Sequence, residues 1–244
     1  MTPSSDLPAG ASGDSEDAAG DGVTPLPDEA IVPGTAPAAL PIPPARKRPR
    51  PGERRVQILE TLATMLQEPG AERVTTAALA AKLDVSEAAL YRHFASKAQM
   101  FEGLIDFIEQ SVFTLINQIT ERSAPGQEQA ARIVAMLVQF AEKNPGMTRV
   151  MVGDALVFEN ERLVTRMNQF FDRIESHLRQ SLRAAADGAA SSTPTVDANA
   201  EASVLTAFLV GRLQRFARSG FKRSPTEHLD AALRLLAPVA APAS

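Results

Sequence analysis

The residues best suited to chemistry in this chain lie close together between positions 91 and 97. Tyr91 is the only tyrosine, and His93 is one of three histidines. Arg92 lies between them, and Lys97 follows four residues after His93. A phenol, an imidazole, a guanidinium and an ammonium group supply many hydrogen-bond donors and two fixed positive charges, a set suited to holding phosphate oxygens. Two other interpretations are a catalytic cluster and a plug at the junction of two helices.

A catalytic or metal-binding role is the weaker interpretation. The three histidines, His93, His177 and His228, lie in different segments, and no pair has the spacing of a metal site. The chain has no cysteine, which excludes disulfides, thiolate metal ligands and thiol nucleophiles. No glycine-rich phosphate loop is present in the sequence. We therefore expect a protein that is not an enzyme, with no cofactor and no metal.

The chain begins with two segments of opposite charge. Residues 1–45 contain seven acids, nine prolines and neither lysine nor arginine. Such a segment cannot bury enough apolar surface to fold, so we predict a disordered tail that folding does not need. Residues 46–55 contain six basic residues and one acid. This run suits an arm that contacts phosphates, and it suits equally a solvated start of a helix.

The pattern around the donor residues predicts a helix-turn-helix. Apolar residues at helical spacing predict a first helix over 54–67. A threonine then caps a second helix over 76–83, a tight turn follows at Asp84, and Ser86 caps a third helix over 87–92. Two short helices separated by a turn of about four residues are the elements of this motif.

The third helix has one face of small side chains. Leu90 and Phe94 are expected to pack inward, while Ala88 and Ala89 leave the opposite face nearly smooth. A smooth face can approach base edges in the major groove, and the donors that follow it are then within reach of phosphates. The whole arrangement favours DNA reading over a plug at a helix junction.

The stretch VSEAALYRHFASKAQMF resembles the recognition helix and following linker of TetR-family transcription factors. A serine cap followed by Tyr-x-His-Phe-x-Ser-Lys is a long and specific signature. Asp84 replaces the glycine that is usual in the family's turn, and aspartate tolerates the left-handed conformation better than most residues. The resemblance implies an all-α fold, with a basic arm and a three-helix DNA-binding domain over 46–97 and a helical dimerisation and effector-binding domain over 98–240.

The resemblance also implies how DNA is bound. We expect a homodimer on near-palindromic double-stranded sites, with further assembly on DNA left open. The arm, the caps and the recognition helix supply the expected contacts, which are Arg54, Arg55, Thr75, Thr76, Ser86, Glu87, Ala88, Ala89, Tyr91, Arg92, His93 and Lys97. Residues 86–89 are expected to face bases, while Tyr91, His93 and Lys97 hold phosphates.

Apolar periodicity predicts an all-helical second domain. The predicted elements are helices over 97–121, 127–143 and about 147–152, two apolar stripes over 163–182 and 204–216 separated by a flexible loop at 187–197, and a last helix that begins at Ser224-Pro225. In the TetR family the last two long helices pack against those of a second subunit. That resemblance places the dimer interface at Phe208, Leu209, Arg212, Leu213 and Phe216, although an ordinary core also explains such a stripe.

Three further stretches, which begin at Phe101, Glu142 and Gly211, resemble the nucleoid-occlusion branch of the TetR family. Proteins of that branch bind chromosomal sites and, when bound, antagonise the tubulin-like division protein FtsZ. The resemblance implies a cytoplasmic, nucleoid-associated protein. No apolar run is long enough for a membrane span, so none is expected.

In that branch the C-terminal tail of FtsZ docks between the fourth and fifth helices. The resemblance implies that Phe107, Met136, Lys143 and Asn144 contact this tail. Lys143 stands where arginine is common, which keeps the charge but loses the planar fork. Leu115 replaces a basic residue, which removes part of the electrostatic attraction. From its helical position alone, Phe107 is equally expected in the core.

The alternative function is a ligand-responsive repressor of the TetR type. Most members of the family bind a small molecule inside the second domain, where this chain has several phenylalanines. Those able to line such a pocket, or to form plain core, are Phe107, Phe113, Phe140, Phe158 and Phe170. A filled interior favours a protein effector, whereas an apolar cavity of several hundred cubic ångströms favours a ligand.

Overall fold

The computed structural model describes residues 52–68, 74–188 and 192–238. These residues form nine α-helices and one short 3-10 turn, Asp154–Leu156. The helices are α1 (Glu53–Met65), α2 (Thr76–Lys82), α3 (Glu87–Tyr91), α4 (Lys97–Arg122), α5 (Gln127–Lys143), α6 (Pro145–Met151), α7 (Glu161–Gly188), α8 (Pro194–Arg218) and α9 (Leu229–Leu236). The all-α prediction is confirmed. The expected tail, 1–45, and arm positions 46–51 lie outside the described residues.

Helices α1, α2 and α3 form a three-helix head with the helix-turn-helix that the sequence predicted. Ile58 and Leu62 of α1 are buried together with Leu79 of α2 and Leu90 of α3, because each short helix has one apolar face to cover. Phe94, just after α3, is also buried in this cluster. The predicted inward face of the recognition helix is therefore confirmed.

The body of the protein is built around the long helices α7 and α8. These two pack against each other along their length, and α5 lies against both of them. Ile174 and Leu178 of α7 and Leu205 and Leu209 of α8 are fully buried, so the two apolar stripes meet in a common core. Among the described helices, none combines the length and hydropathy that crossing a bilayer requires.

Two predicted boundaries near the C-terminus are wrong. The loop predicted at 187–197 is shorter, because α7 extends to Gly188 and α8 starts at Pro194, where proline fits the first helical position. Helix α9 starts at Leu229 rather than at Ser224-Pro225. The hydroxyls of Ser224 and Thr226 donate to the Glu142 carboxylate of α5, which fixes this stretch as a turn instead of a first helical turn.

The head and the body meet at an unusually close backbone contact. Gly146, in the first turn of α6, lies against α1 so closely that a Cβ atom there would be 1.9 Å from the Ala63 carbonyl oxygen. Beside this contact, the Arg149 guanidinium donates to the Glu68 carbonyl at 3.1 Å and lies 5.0 Å from the Phe221 ring. Helix α6 therefore fixes α1, and with it the head, to the body.

We predict that Gly146→Ala lowers the melting temperature markedly. The added methyl group would overlap backbone atoms, which cannot rotate away, so we expect a loss of about 3 kcal/mol or more in unfolding free energy. Thermal unfolding followed by circular dichroism measures it. Leu235→Ala, at an exposed position of α9, is the control, since its side chain has little packing to lose. Equal melting temperatures for Gly146→Ala and wild type would contradict the close contact.

Candidate nucleic-acid interface and partner groove

The starts of α2 and α3 are held by side-chain oxygens. The Ser86 hydroxyl accepts from the Ala89 amide and caps α3 as predicted. Of the two threonines that could cap α2, Thr75 does so, because its hydroxyl accepts from the Ala78 amide. The Thr76 hydroxyl donates to the Glu87 carboxylate at 2.6 Å and ties the two helix starts together. These contacts fix the recognition helix relative to α2.

The turn between α2 and α3 has the strained conformation expected of a helix-turn-helix. Asp84 has a φ of +54°, in the left-handed region that glycine adopts most readily. The Val85 amide donates to the Ala80 carbonyl across the turn. Asp84 therefore adopts the left-handed conformation that glycine would adopt at this turn.

The recognition helix presents the small-residue face to solvent. Ala88 is exposed and Ala89 is half-buried. Tyr91, Arg92 and His93 are all exposed beside them. The interpretation of Tyr91 and His93 as plugs of a helix junction is therefore wrong, and this surface is open to a duplex.

Arg54 and Arg55 are partly occupied by contacts within the head. Arg54 donates to the Gln57 side chain at 2.8 Å. Arg55 donates to the His93 carbonyl at 3.0 Å, and its guanidinium lies 4.1 Å from the centre of the Phe94 ring. Arg55 remains exposed, so it joins the start of α1 to the recognition helix while its outer edge still faces solvent.

Lys97 is not the free donor that the sequence suggested. Its ammonium lies 2.5 Å from a carboxylate oxygen of Glu159, in the segment that leads into α7. The same ammonium is 5.7 Å from the centre of the Phe101 ring. Sequence reasoning missed Glu159 because it is 62 residues away, and no local pattern marks such a partner.

A series of ion pairs continues from that point along α4 and α7. Arg162 pairs with Glu102, and Arg166 contacts Asp106 at 2.6 Å and Glu109 at 2.8 Å. The hydrogen bonds that Arg166 donates to Glu109 and Asp106 raise its pKa, although partial burial opposes the shift. Because α4 follows directly from the head, these pairs connect the orientation of the head to α7.

The phenylalanines of the second domain do not line one interior cavity. Phe107 is 47% exposed and Phe158 is 69% exposed, so both lie outside the core. Phe113 and Phe170 pack edge to face with ring centres 5.6 Å apart. His177 lies against Phe113, and burial, with Arg173 nearby, lowers its pKa. The proposed ligand pocket made by all five phenylalanines is therefore wrong.

A groove runs between the antiparallel helices α4 and α5. Leu115 of α4 and Met136 of α5 line a cleft of about 190 Å³ in it. Phe107 lies eight residues before Leu115, and Lys143 and Asn144 lie seven and eight residues after Met136. Equal distances along antiparallel helices bring these residues to the same level. The interpretation of Phe107 as a core residue is wrong, since its ring is nearly half exposed.

The far end of this groove combines charge and capping. Lys143 is exposed at the last turn of α5. The Asn144 side chain donates to the Phe140 carbonyl at 2.7 Å and so satisfies one of the free carbonyls at the helix end. An exposed aromatic side chain and an exposed cation therefore lie level with each other on α4 and α5, about two helical turns from the cleft.

The predicted dimer residues need correction. Leu209, Leu213 and Phe216 are buried by their own chain, so their side chains have no surface left for a partner. Arg212 donates to the Glu227 carbonyl at 2.6 Å and lies 4.9 Å from the centre of the half-buried Phe208 ring. The outer face of α8 instead presents Val204, Ala207, Phe208, Gly211 and Arg215. Phe208, Gly211, Arg212 and Arg215 also line a cleft of about 560 Å³.

Two family models match this chain. The model described as "Bacterial regulatory proteins, tetR family" matches residues 58–104, which contain the head. The model described as "Tetracyclin repressor-like, C-terminal domain", of the SlmA-like type, matches residues 128–238. The first match ends within α4, and the second begins at the start of α5.

Relatives with the printed name "Nucleoid occlusion factor SlmA" match most of the chain. The protein from Vibrio atlanticus is 48% identical over 188 residues, which are 77% of this chain and 95% of the relative. The protein from Vibrio cholerae is 51% identical over 178 residues, which are 72% of this chain and 90% of the relative.

Solved structures of more distant proteins share the fold. The fatty acid degradation regulator FadR from Bacillus halodurans superposes with a TM-score of 0.63 at 14% identity, covering 76% of this chain and 95% of that one. The TetR-family regulator PfmR from Thermus thermophilus superposes with a TM-score of 0.59 at 22% identity, covering 78% of this chain and 98% of that one. At such identities the likeness supports the fold alone.

We predict that Ala88→Glu abolishes DNA binding without unfolding the protein. The side chain is exposed, so folding tolerates the change, but a carboxylate would project toward the phosphates and base edges of a bound duplex. Fluorescence anisotropy with a labelled duplex measures binding, and circular dichroism checks folding. Ala124→Glu, at an exposed position between α4 and α5, is the matched control. Unchanged affinity for Ala88→Glu would remove α3 from the interface.

Proposed function

Because this chain belongs to the TetR-type family of SlmA nucleoid occlusion factors, we propose that it binds near-palindromic chromosomal sites as a homodimer and, when bound, antagonises FtsZ assembly over the nucleoid. Such a protein couples division to chromosome segregation and acts on the nucleoid, in the cytoplasm. It acts by binding rather than by catalysis. The observation that carries the effector half of the proposal is the exposed Phe107 ring, level with Lys143 in the α4–α5 groove.

The recognition face supports the DNA half of the proposal. Ala88 faces solvent between the capped start of α3 and the exposed side chains of Tyr91 and His93. A helix with a small-residue face enters the major groove, and flanking donors on either side hold the two phosphate backbones. Because the close contact at Gly146 fixes the head to the body, dimerisation of the body sets the spacing of the two recognition helices.

The α4–α5 groove supports the FtsZ half. An extended peptide with apolar and acidic residues finds an aromatic anchor at Phe107, an apolar cleft at Leu115 and Met136, and a cation at Lys143. Arg122 and Arg132 line the same cleft at its other end. Arg122 supplies positive charge at the end of the groove where Leu115 replaces a basic residue, and Arg132, which pairs with Glu128, adds to it in part.

The outer face of α8 supports the dimer. Val204 and Ala207 are exposed, and Gly211 follows one helical turn later, where no atom of the described residues lies within 4 Å of the position its Cβ would take. Small and apolar residues at this spacing let a second helix approach closely, as a two-fold interface between copies of α8 requires. The buried Leu209 and Leu213 then stiffen the helix from inside the protomer.

We predict that Phe107→Ala and Lys143→Glu each remove the effect on FtsZ and leave DNA binding and folding near normal. Both side chains are exposed, so little stability is lost, but the peptide loses its anchor or its cation. FtsZ sedimentation, with and without a bound DNA site, measures the effect. Phe158→Ala, another exposed phenylalanine outside the groove, is the matched control and should behave as wild type.

FtsZ that lacks its C-terminal tail supplies the second control, because it should sediment equally with every variant. Wild-type affinity of both groove variants for the FtsZ tail would refute the groove assignment. Release of the wild-type protein from DNA by a small apolar molecule would instead favour the ligand-responsive repressor. The nucleoid occlusion factor is thus recognised by an effect of the groove variants on FtsZ sedimentation, and the ligand-responsive repressor by an effect of the small molecule on DNA binding.

We predict that Val204→Glu converts the dimer to a folded monomer. Val204 is half exposed in the protomer, so the protomer tolerates a carboxylate there, but a dimer would bury two of them near its axis. Sedimentation velocity measures the mass, and circular dichroism the fold. Val56→Glu, an equally exposed valine on α1, should remain dimeric. A Val204→Glu variant that stays dimeric would place the interface elsewhere.

A further inference from the structure

The ion pair between Lys97 and Glu159 places a carboxylate where a DNA phosphate is expected to bind. Lys97 is the first residue of α4 and follows the recognition helix by a short linker. We propose that Glu159 is a positioning residue, which holds Lys97 in the free protein and must release it when Lys97 binds a phosphate. This inference rests on the proposed DNA-binding function and adds a residue that the recognition motif does not contain.

The burial of the two partners decides which one moves. The Lys97 side chain is 27% exposed, whereas the Glu159 side chain is 11% exposed. The lysine therefore reaches solvent by rotation of its flexible stem, but the carboxylate stays where the backbone of its segment holds it. The Glu159 amide donates to the Leu156 carbonyl at 2.9 Å, which fixes that backbone. DNA binding thus removes the cation from a carboxylate that solvent hardly reaches.

The loss of the cation is unfavourable for Glu159. A carboxylate with little solvent around it is stabilised mainly by its partner, so taking Lys97 away leaves it poorly compensated. Phosphate contact by Lys97 then gives less net affinity than an unpaired lysine would. A Glu159 side chain freed of its partner also takes up a cation from solution, which offsets one of the cations that leave the DNA.

Loss of the Lys97–Glu159 ion pair on DNA binding also changes a contact in the body of the protein. Glu159 lies just before α7, and the ion pairs Arg162–Glu102 and Arg166–Asp106 continue along α4 and α7 from this point. When Lys97 leaves, the pair nearest the head is lost from this series. DNA occupancy therefore changes the contact between the start of α4 and the start of α7.

The experiment measures DNA affinity as a function of salt for five proteins. These are the wild type, Glu159→Gln, Lys97→Met, the double variant and Glu102→Gln. A labelled duplex carrying a site selected with the wild-type protein is titrated by anisotropy between about 0.05 and about 0.3 M KCl, concentrations of the order at which phosphate contacts show their salt dependence. Circular dichroism confirms that each variant is folded. Glu102→Gln removes an equal charge from the same helix pair without freeing Lys97.

We expect Glu159→Gln to bind DNA about threefold more tightly than wild type, the size of effect that one partly exposed ion pair produces. Its plot of log K against log salt should be steeper by up to about one ion, because no carboxylate takes up a cation. In the Lys97→Met background, Glu159→Gln should change affinity no more than Glu102→Gln does. If Lys97→Met fails to fold, the steeper salt dependence of Glu159→Gln relative to Glu102→Gln decides the matter.

Two results would overturn the inference. Equal gains from Glu159→Gln with and without the Lys97→Met substitution would mean that only the overall charge matters. Equal affinity and equal salt dependence for Glu159→Gln and wild type would mean that Glu159 does not compete with DNA. In either case wild-type binding to the duplex leaves the proposed function standing. A wild-type protein that binds no duplex removes the proposed function and this inference with it.

Discussion

The backbone of α6 approaches α1 so closely that position 146 has room only for glycine. Short helices such as α2 and α3 have little stability by themselves, because most of their stability must come from packing an apolar face against other elements. The contact at Ala63 anchors α1, and α1 supplies the apolar face on which α2 and α3 rest. The orientation of the recognition helix therefore depends on one backbone contact outside the helix-turn-helix motif.

Ion pairs between α4 and α7 join the head to the body in addition to the contact between Gly146 and Ala63. The α4 residues that pair with α7 line one cleft, and a different set of α4 residues lines the cleft against α5. Helix α4 thus starts just after the head, carries the ion pairs to α7 and leaves the Phe107 ring exposed at its surface. A rigid helix of 26 residues connects the two proposed binding surfaces without a separate relay.

The helix-turn-helix was predictable because its signals are local. Serine and threonine caps, the turn at Asp84 and the inward spacing of Leu90 and Phe94 each act within a few residues, and all of them have the predicted positions. The start of α9 was not predictable in the same way. Pro225 and Glu227 have the pattern of a helix start, but the hydrogen bonds of Ser224 and Thr226 to Glu142, 82 and 84 residues away, hold a turn there.

The sequence by itself determined the all-helical class, the small-residue recognition face and the resemblance of the second domain, since caps, periodicity and motifs are properties of neighbouring residues. Only the tertiary structure decided which side of a long apolar helix faces the core. It buried Leu209 and Leu213 within the protomer and left Phe107 at the surface, and periodicity alone does not distinguish the two. It also paired Lys97 with Glu159 and brought Gly146 against Ala63, because contacts between distant segments exist only after the helices have packed.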